Sequence, residues 1–247
     1  MIIFLKSFIV LSYLFMITMN VLANSLPFYG RTTGEISNKY PTLFTPAGFT
    51  FSIWGLIYVL LALLVFRIVS LPSSSFNASS IYLFVIATSV SFILNGIWLI
   101  FWHRDNPWIS TFVIISILAA LIIATLYTPK DQTLLRVAIS VNLGWISVAV
   151  IANITIALSS TNINVLFSDT VYFIALLVIG IILVFMMLYT QGDSVFALVF
   201  LWAYFGIFMR HFNENNQLLY FSSATALLII ITLTLVTLIN HSFSLYK

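Results

Sequence analysis

Runs of about 20 apolar residues, separated by short polar breaks, repeat along the whole chain. An α-helix rises about 1.5 Å per residue, and about 20 apolar residues cross about 30 Å of hydrocarbon. Eight stretches reach that length: roughly 4–23, 47–69, 80–102, 109–128, 135–158, 170–190, 194–210 and 218–240, the seventh being the shortest. Charged residues punctuate them, with Arg67, Arg104, Lys130, Asp131, Asp169, Asp193, Arg210 and Glu214 all at or just beyond the ends. Pro27, Pro41, Pro46, Pro72, Pro107 and Pro129 fall in loops or first helical turns, where a missing N–H costs little. Alternating segments of about 10 residues, the mark of barrel strands, do not occur. Backbone groups in lipid must be satisfied within their own segment, so the pattern predicts an all-α integral membrane protein.

Composition narrows the function. Of 247 residues, 62% are hydrophobic and 6% charged, against about 45–50% and about 25% in soluble domains. Too little polar side chain is present to coat a globule in water, which excludes a soluble enzyme. The net charge of +3 comes from scattered cations, and no basic patch could track a nucleic-acid backbone. There is no cysteine, and His103, His211 and His241 lack ligand spacing, so a metal centre is not expected. Orientation stays open. With eight spans one side carries Lys6, Arg67, Lys130, Arg136 and Lys247, and the other Arg31, Lys39, Arg104 and Arg210, an almost even division. The first stretch also has the shape of a signal-peptide core ending at Val21-Leu22-Ala23, but its length favours a retained first helix.

The longest connection, Asn24 to Thr45, is rich in Gly, Pro, Thr and aromatic residues and is either a lid or a plain connector. Residues 72–80 read as a polar turn carrying a formal glycosylation triplet, Asn77-Ala78-Ser79. Two cholesterol-type patterns, Leu121…Tyr127…Lys130 and Leu201…Tyr204…Arg210, are at the level expected by chance in a chain this rich in Leu and Tyr.

Inside a membrane segment apolar residues say little, whereas polar and aromatic residues in register say more. Phe51, Trp54 and Tyr58 share one face of the second span. Asn95, Trp98 and Trp102 repeat that spacing on the third, and Asn142, Trp145, Ala149 and Asn153 fall on one face of the fifth. A buried Asn or Trp wants a hydrogen-bond partner. Three such faces suggest a common surface, part polar and part aromatic, suited to a flat, mostly apolar ligand. The competing reading makes the asparagines interhelical links. It places Trp102, Trp108, Tyr127 and Tyr189 in interfacial belts. No ionisable residue stands mid-span, which argues against ion-coupled transport and against acid–base catalysis in the membrane.

The segment Phe44-Thr-Pro46-Ala-Gly48-Phe-Thr-Phe51-Ser-Ile-Trp54-Gly-Leu-Ile-Tyr58 resembles the second helix of the TspO/MBR family, the translocator proteins or tryptophan-rich sensory proteins. Asn95-Gly-Ile-Trp98-Leu-Ile-Phe101-Trp102 is similar to the family's third helix, and Trp145-Ile-Ser-Val-Ala149-Val-Ile-Ala-Asn153 to its fifth. Two departures stand out. Phe51 and Trp54 are one residue closer than in the family, and Val141-Asn142-Leu143-Gly144 replaces the usual Pro-Tyr before the fifth-helix Trp.

The resemblance implies a five-helix TspO-like bundle over residues 1–158, with about three additional transmembrane helices over 159–247. It implies a membrane receptor for a tetrapyrrole such as porphyrin, or a similar hydrophobic aromatic ligand, acting in stress or light and oxygen signalling. Any porphyrin or haem would be a ligand and not a resident cofactor. Partners would be the lipid bilayer, the small hydrophobic ligand and a second copy in a homodimer. The expected location is a bacterial cell membrane. Ligand-binding residues would come from Phe51, Trp54, Tyr58, Asn95, Trp98, Asn142, Trp145, Ala149 and Asn153. With no acid, base, nucleophile or metal set, any reaction would run on the photochemistry of the bound ring. The alternative is a multi-pass facilitator or transporter of a small hydrophobic solute.

Overall fold

The computed structural model describes residues 1–25, 30–40, 42–77, 79–161 and 168–244. Among these residues the chain forms helices α1 (Ile2–Ser25), α2 (Thr33–Lys39), α3 (Ile53–Ser70), α4 (Ser79–His103), α5 (Pro107–Tyr127), α6 (Thr133–Ser159), α7 (Asp169–Gln191), α8 (Ser194–Asn213) and α9 (Gln217–Ser244), with no strand. Short 3-10 turns occupy Gly48–Ser52 and Ser73–Asn77. Eight segments are long and apolar enough to cross a membrane, and they coincide with the eight expected from the sequence. The seventh span, α8, has 20 residues, about 30 Å of helix. Within the glycosylation triplet, Ala78 lies outside the described residues.

Local chemistry sets the turns. Asn106 caps α5 by accepting the Ile109 N–H, with Pro107 next in the chain, where its lost N–H is harmless. Gly192 ends α7 at φ +61°, and Asp193 then caps α8 by accepting from Phe196 N at 3.1 Å.

Two compact units result. The first comprises Met1–Pro41 and Ile53–Thr161. Within it α4 packs on α1 and α5, and α6 packs on α3 and α5. Every residue from Ala138 to Val148 is buried, about three turns of α6, so this helix is enclosed on all sides and forms the core. Lys6 donates to the carbonyls of Val69 (2.8 Å) and Leu71 (2.6 Å), so its charge sits on the C-terminal end of α3, where a cation is favoured.

Helix α2 docks on the end of α4. Its start is a capping box: Thr32 accepts from Glu35 N, and Glu35 accepts from Thr32 N. Trp102 Nε1 donates to Thr33 O at 3.2 Å, and Thr33 Oγ1 lies 3.5 Å from His103 Nε2. Asp105 latches the other end, accepting from Lys39 Nζ and from Tyr40 Oη at 2.8 Å, with Arg31 at 3.9 Å. Burial pushes the Asp105 carboxyl up, but the hydrogen bonds of Lys39 and Tyr40 and the nearby cations outweigh it, and the net direction is down.

The second unit comprises Thr42–Ser52 and Asn162–Lys247. Helices α7, α8 and α9 pack on one another, and Thr42–Ser52 lies along α8 as a strap. Arg210 Nη1 donates to the carbonyls of Thr42 (3.0 Å) and Thr45 (2.9 Å). His211 Nε2 donates to Leu43 O at 2.8 Å, and Trp202 Nε1 to Thr50 O at 2.8 Å. Ala47 N donates to Gly206 O at 3.0 Å. Phe49 sets its ring edge to face with those of Trp202 and Phe205.

These contacts divide the long connection Asn24–Thr45 into three parts. Asn24 and Ser25 belong to α1, 30–40 carry α2, and Thr42–Thr45 belong to the strap, because α8 binds their carbonyls. Residues 26–29 and 41 lie outside the described residues. Nor is Arg210 an ordinary solvated helix-end charge, since its guanidinium holds two strap carbonyls and Glu214. Tyr204, part of one sterol-type pattern, is fully buried and donates to Leu177 O at 2.9 Å, so it presents nothing to a lipid.

Two outcomes are expected. A Cβ at Gly206 would collide with the Thr50 hydroxyl, whereas one at Gly55 meets nothing within 4 Å. Gly206→Ala should therefore cost about 1–3 kcal/mol, and Gly55→Ala should stabilise by up to about 1 kcal/mol; thermal unfolding followed by circular dichroism reads both. The Asp105 latch has a depressed carboxyl pKa, so it is present at neutral pH and is lost as pH falls through and below the ordinary carboxylate range. Protection factors of the 33–39 amides, which correct for the intrinsic pH dependence of exchange, should hold at pH 5 and fall toward pH 3, and Asp105→Asn should lower them at pH 7.

Candidate functional site

The first unit holds a cavity of about 40 Å³ lined by α1, α3, α4, α5 and α6. Each helix contributes residues at helical spacing: Met16 and Asn20; Trp54, Ile57, Tyr58 and Leu61; Ser91, Phe92, Asn95 and Trp98; Ile114 and Ile117; Asn142, Trp145, Ile146 and Ala149. None of these lining residues is charged.

One wall is a hydrogen-bonded polar cluster. Asn20 accepts from Tyr58 Oη at 2.7 Å, and its amide donates to Asn95 Oδ1 at 2.7 Å and to Met16 O at 2.9 Å. Tyr13 Oη donates to Tyr58 O at 3.0 Å, which ties the same two helices together again. Ser91 donates within its own helix to Thr88 O at 2.7 Å. Asn20 and Ser91 are thereby fully engaged, while Asn95 keeps its NH₂ unbonded among the described residues.

The α6 lining differs. Asn142 is 8% exposed and lines the cavity, yet its amide makes no hydrogen bond to any described residue. Trp145 stands one turn further along α6 and is also buried. The Asn142 amide faces the cavity and is open to a water or a ligand there, whereas Thr88 Oγ1 on α4 is fully buried with no hydrogen-bond partner among the described residues.

Of the nine residues expected to bind ligand, Trp54, Tyr58, Asn95, Trp98, Asn142, Trp145 and Ala149 meet at this cavity. Phe51 lies in the 3-10 turn of the second unit and Asn153 is buried elsewhere on α6; neither lines it. Asn153 Oδ1 accepts from Trp98 Nε1 (3.4 Å) and Ser110 Oγ (3.1 Å), and Thr111 donates to its backbone carbonyl at 3.2 Å. It thus links α4, α5 and α6 and orients the Trp98 indole. Trp102 corrects the belt reading. It is 4% exposed, stacks on Trp98 at 5.3 Å and bonds α2, so it braces the Trp98 ring from behind. Trp108 (48% exposed) and Tyr189 (81% exposed) face outward at helix ends, as belt residues do.

Asn20 was not foreseen. Tyr13, Asn20 and Asn24 stand at i, i+7 and i+11 of α1, a stripe in register that a pairing rule for buried amides would have singled out. Among the described residues no cluster of three or more His, Asp or Glu could hold a metal ion.

A family model for TSPO-like protein matches residues 6–239. The match runs from α1 into α9, so it takes in the three C-terminal helices that the resemblance in the second, third and fifth spans did not reach. Among curated proteins no match is found, and among solved structures there is none either. A match over nearly the whole chain, joined to eight apolar spans, makes this a multi-pass integral membrane protein that belongs to the TSPO-like protein family.

Proposed function

We propose that the cavity of the first unit binds a flat, mostly apolar aromatic molecule, with tetrapyrroles as the leading class, and that the protein acts as a membrane receptor for it. The observation that carries this reading is the convergence of Trp54, Trp98, Trp145 and Tyr58 with the unbonded Asn142 amide on one cavity. Aromatic walls favour a flat ring, and a few polar groups fix its orientation. At about 40 Å³ the space holds a few waters, far less than the ~300–1,000 Å³ of ordinary ligand sites. Entry of a porphyrin-sized ring therefore requires the tryptophan side chains to rotate or the helices to part. The charged propionates of such a ring would stay outside, since no cation lines the cavity to receive them.

The test is a titration with protoporphyrin IX in lipid nanodiscs, following quenching of tryptophan fluorescence against empty discs. Saturable binding is expected, weakened about 3- to 10-fold in Trp145→Phe and in Asn95→Ala. Affinity unchanged in both variants would place the ring elsewhere.

A further inference from the structure

We propose that one end of the first unit, where Arg67, Lys130 and Arg136 lie around Gln132, binds the phosphate of an anionic phospholipid. The inference stands apart from the cavity and from what binds there. Hydrogen bonds bring the elements of this end together. Lys6, near the start of α1, holds the carbonyls of Val69 and Leu71 at the end of α3. Arg67, in the last turn of α3, donates through Nε to Gln132 Oε1 at 2.9 Å. Gln132 closes the turn that leads into α6, its N–H donating to Pro129 O at 3.1 Å. Lys130 lies within that turn and Arg136 one helical turn beyond Gln132, and both are exposed.

Charge at this end is not balanced. Lys6, Arg67, Lys130 and Arg136 stand against one carboxylate, Asp131. Asp131 accepts from Gln132 Nε2 at 3.0 Å and, among the described residues, forms no ion pair with any of the four. At the opposite end of the unit, by contrast, Arg31 and Lys39 both pair with Asp105. The setting of Lys6 and Arg67 is explained by the C-terminal end of α3, whose carbonyls draw a cation. Arg136 has the reverse setting. It falls in the first turn of α6, which carries no acidic residue, so the positive end of the helix dipole opposes it. Lys130 stands just before the same helix end. Cations placed there are favoured once an anion lies among them, and phosphate takes charge-assisted bonds from Arg and Lys. The surroundings point to a headgroup and not to a free anion. Phe66, beside Arg67, and Leu126 and Tyr127, just before Lys130, are exposed. Such apolar side chains meet acyl chains, so the cations next to them stand at the level of the lipid phosphates.

The test places the full chain in phosphatidylcholine vesicles with spin-labelled phosphatidylglycerol or spin-labelled phosphatidylcholine. Electron paramagnetic resonance reads the fraction of each held at the protein surface. Wild type should prefer phosphatidylglycerol about 3- to 10-fold, less so as salt rises. The Lys130 and Arg136 side chains make no bond among the described residues. Lys130→Gln and Arg136→Gln should therefore keep the melting temperature, and each should lower the preference about twofold. Arg67→Gln/Lys130→Gln/Arg136→Gln should remove it, and Lys39→Gln, at the other end, should leave it unchanged. The inference is overturned if wild type shows no preference, if the preference survives in the triple variant, or if Lys39→Gln lowers it as much as Arg136→Gln does. A melting temperature several degrees lower in either single variant would mark that cation as structural and overturn it as well. Inorganic phosphate separates the two sources of the group. At equal ionic strength it should displace phosphatidylglycerol no more than chloride does; stronger displacement would mark a site for the free anion and overturn the lipid.

Discussion

Hydrocarbon neither donates nor accepts a hydrogen bond, so each polar group that enters it must bring its partner along. Most of this chain obeys that constraint in the simplest way. Serines and threonines within the spans turn back onto their own helix, as Ser89 does to Val85 O, Ser147 to Leu143 O, Thr125 to Leu121 O and Thr234 to Ile230 O. Asparagines cannot all do so, and they fix helices to one another instead. Asn20 joins α1 to α3 and α4, and Asn153 joins α4 to α5 and α6. The first unit is thereby pinned by amides at two places. Thr88 and Asn142 follow neither pattern: the Thr88 hydroxyl is buried without a partner among the described residues, and the Asn142 amide faces the cavity.

The spans were legible because their length and apolarity are dictated by bilayer thickness and do not depend on tertiary detail. The stripes on α3, α4 and α6 were legible because helical spacing carries one face to one place. What spacing cannot give is depth or partner. Phe51 and Asn153 continue their stripes, but a 3-10 turn carries Phe51 out of the α3 helix, and Asn153 lies one turn beyond Ala149, where Trp98, Ser110 and Thr111 claim it. Trp102 reads as an interfacial ring until α2 is known to cover it. Helix α2 itself did have a signal, the Thr32 and Glu35 spacing of a capping box, hidden in a stretch whose glycines and prolines suggest irregular chain. The strap could not be read at all. Nothing local in Thr42–Ser52 announces that α8 will hold its carbonyls.

Rigid and yielding parts are separated within the first unit. The Trp98 indole is fixed by Asn153 at its nitrogen and by Trp102 against its face, and Trp102 is held in turn by α2. That wall is preorganised. The Asn142 side chain has no such anchor. A ligand head that bonds it would therefore satisfy a group the protein leaves wanting, while the Trp98 wall stays in place.

The strap also constrains the order in which the protein can be assembled. Thr50 O accepts from Trp202 across 152 residues of sequence, and the Arg210 bond to Thr42 spans 168. At a synthesis rate of about 5–20 residues per second, roughly 8–30 s pass between the emergence of Thr50 and that of Trp202. Helices α3 to α7 are made in that interval, while the carbonyls of Thr42, Leu43, Thr45 and Thr50 have yet to meet their donors on α8. Segment 42–52 thus leaves the ribosome well before the helix that supplies its donors, and it waits for α8 to reach its final bonds.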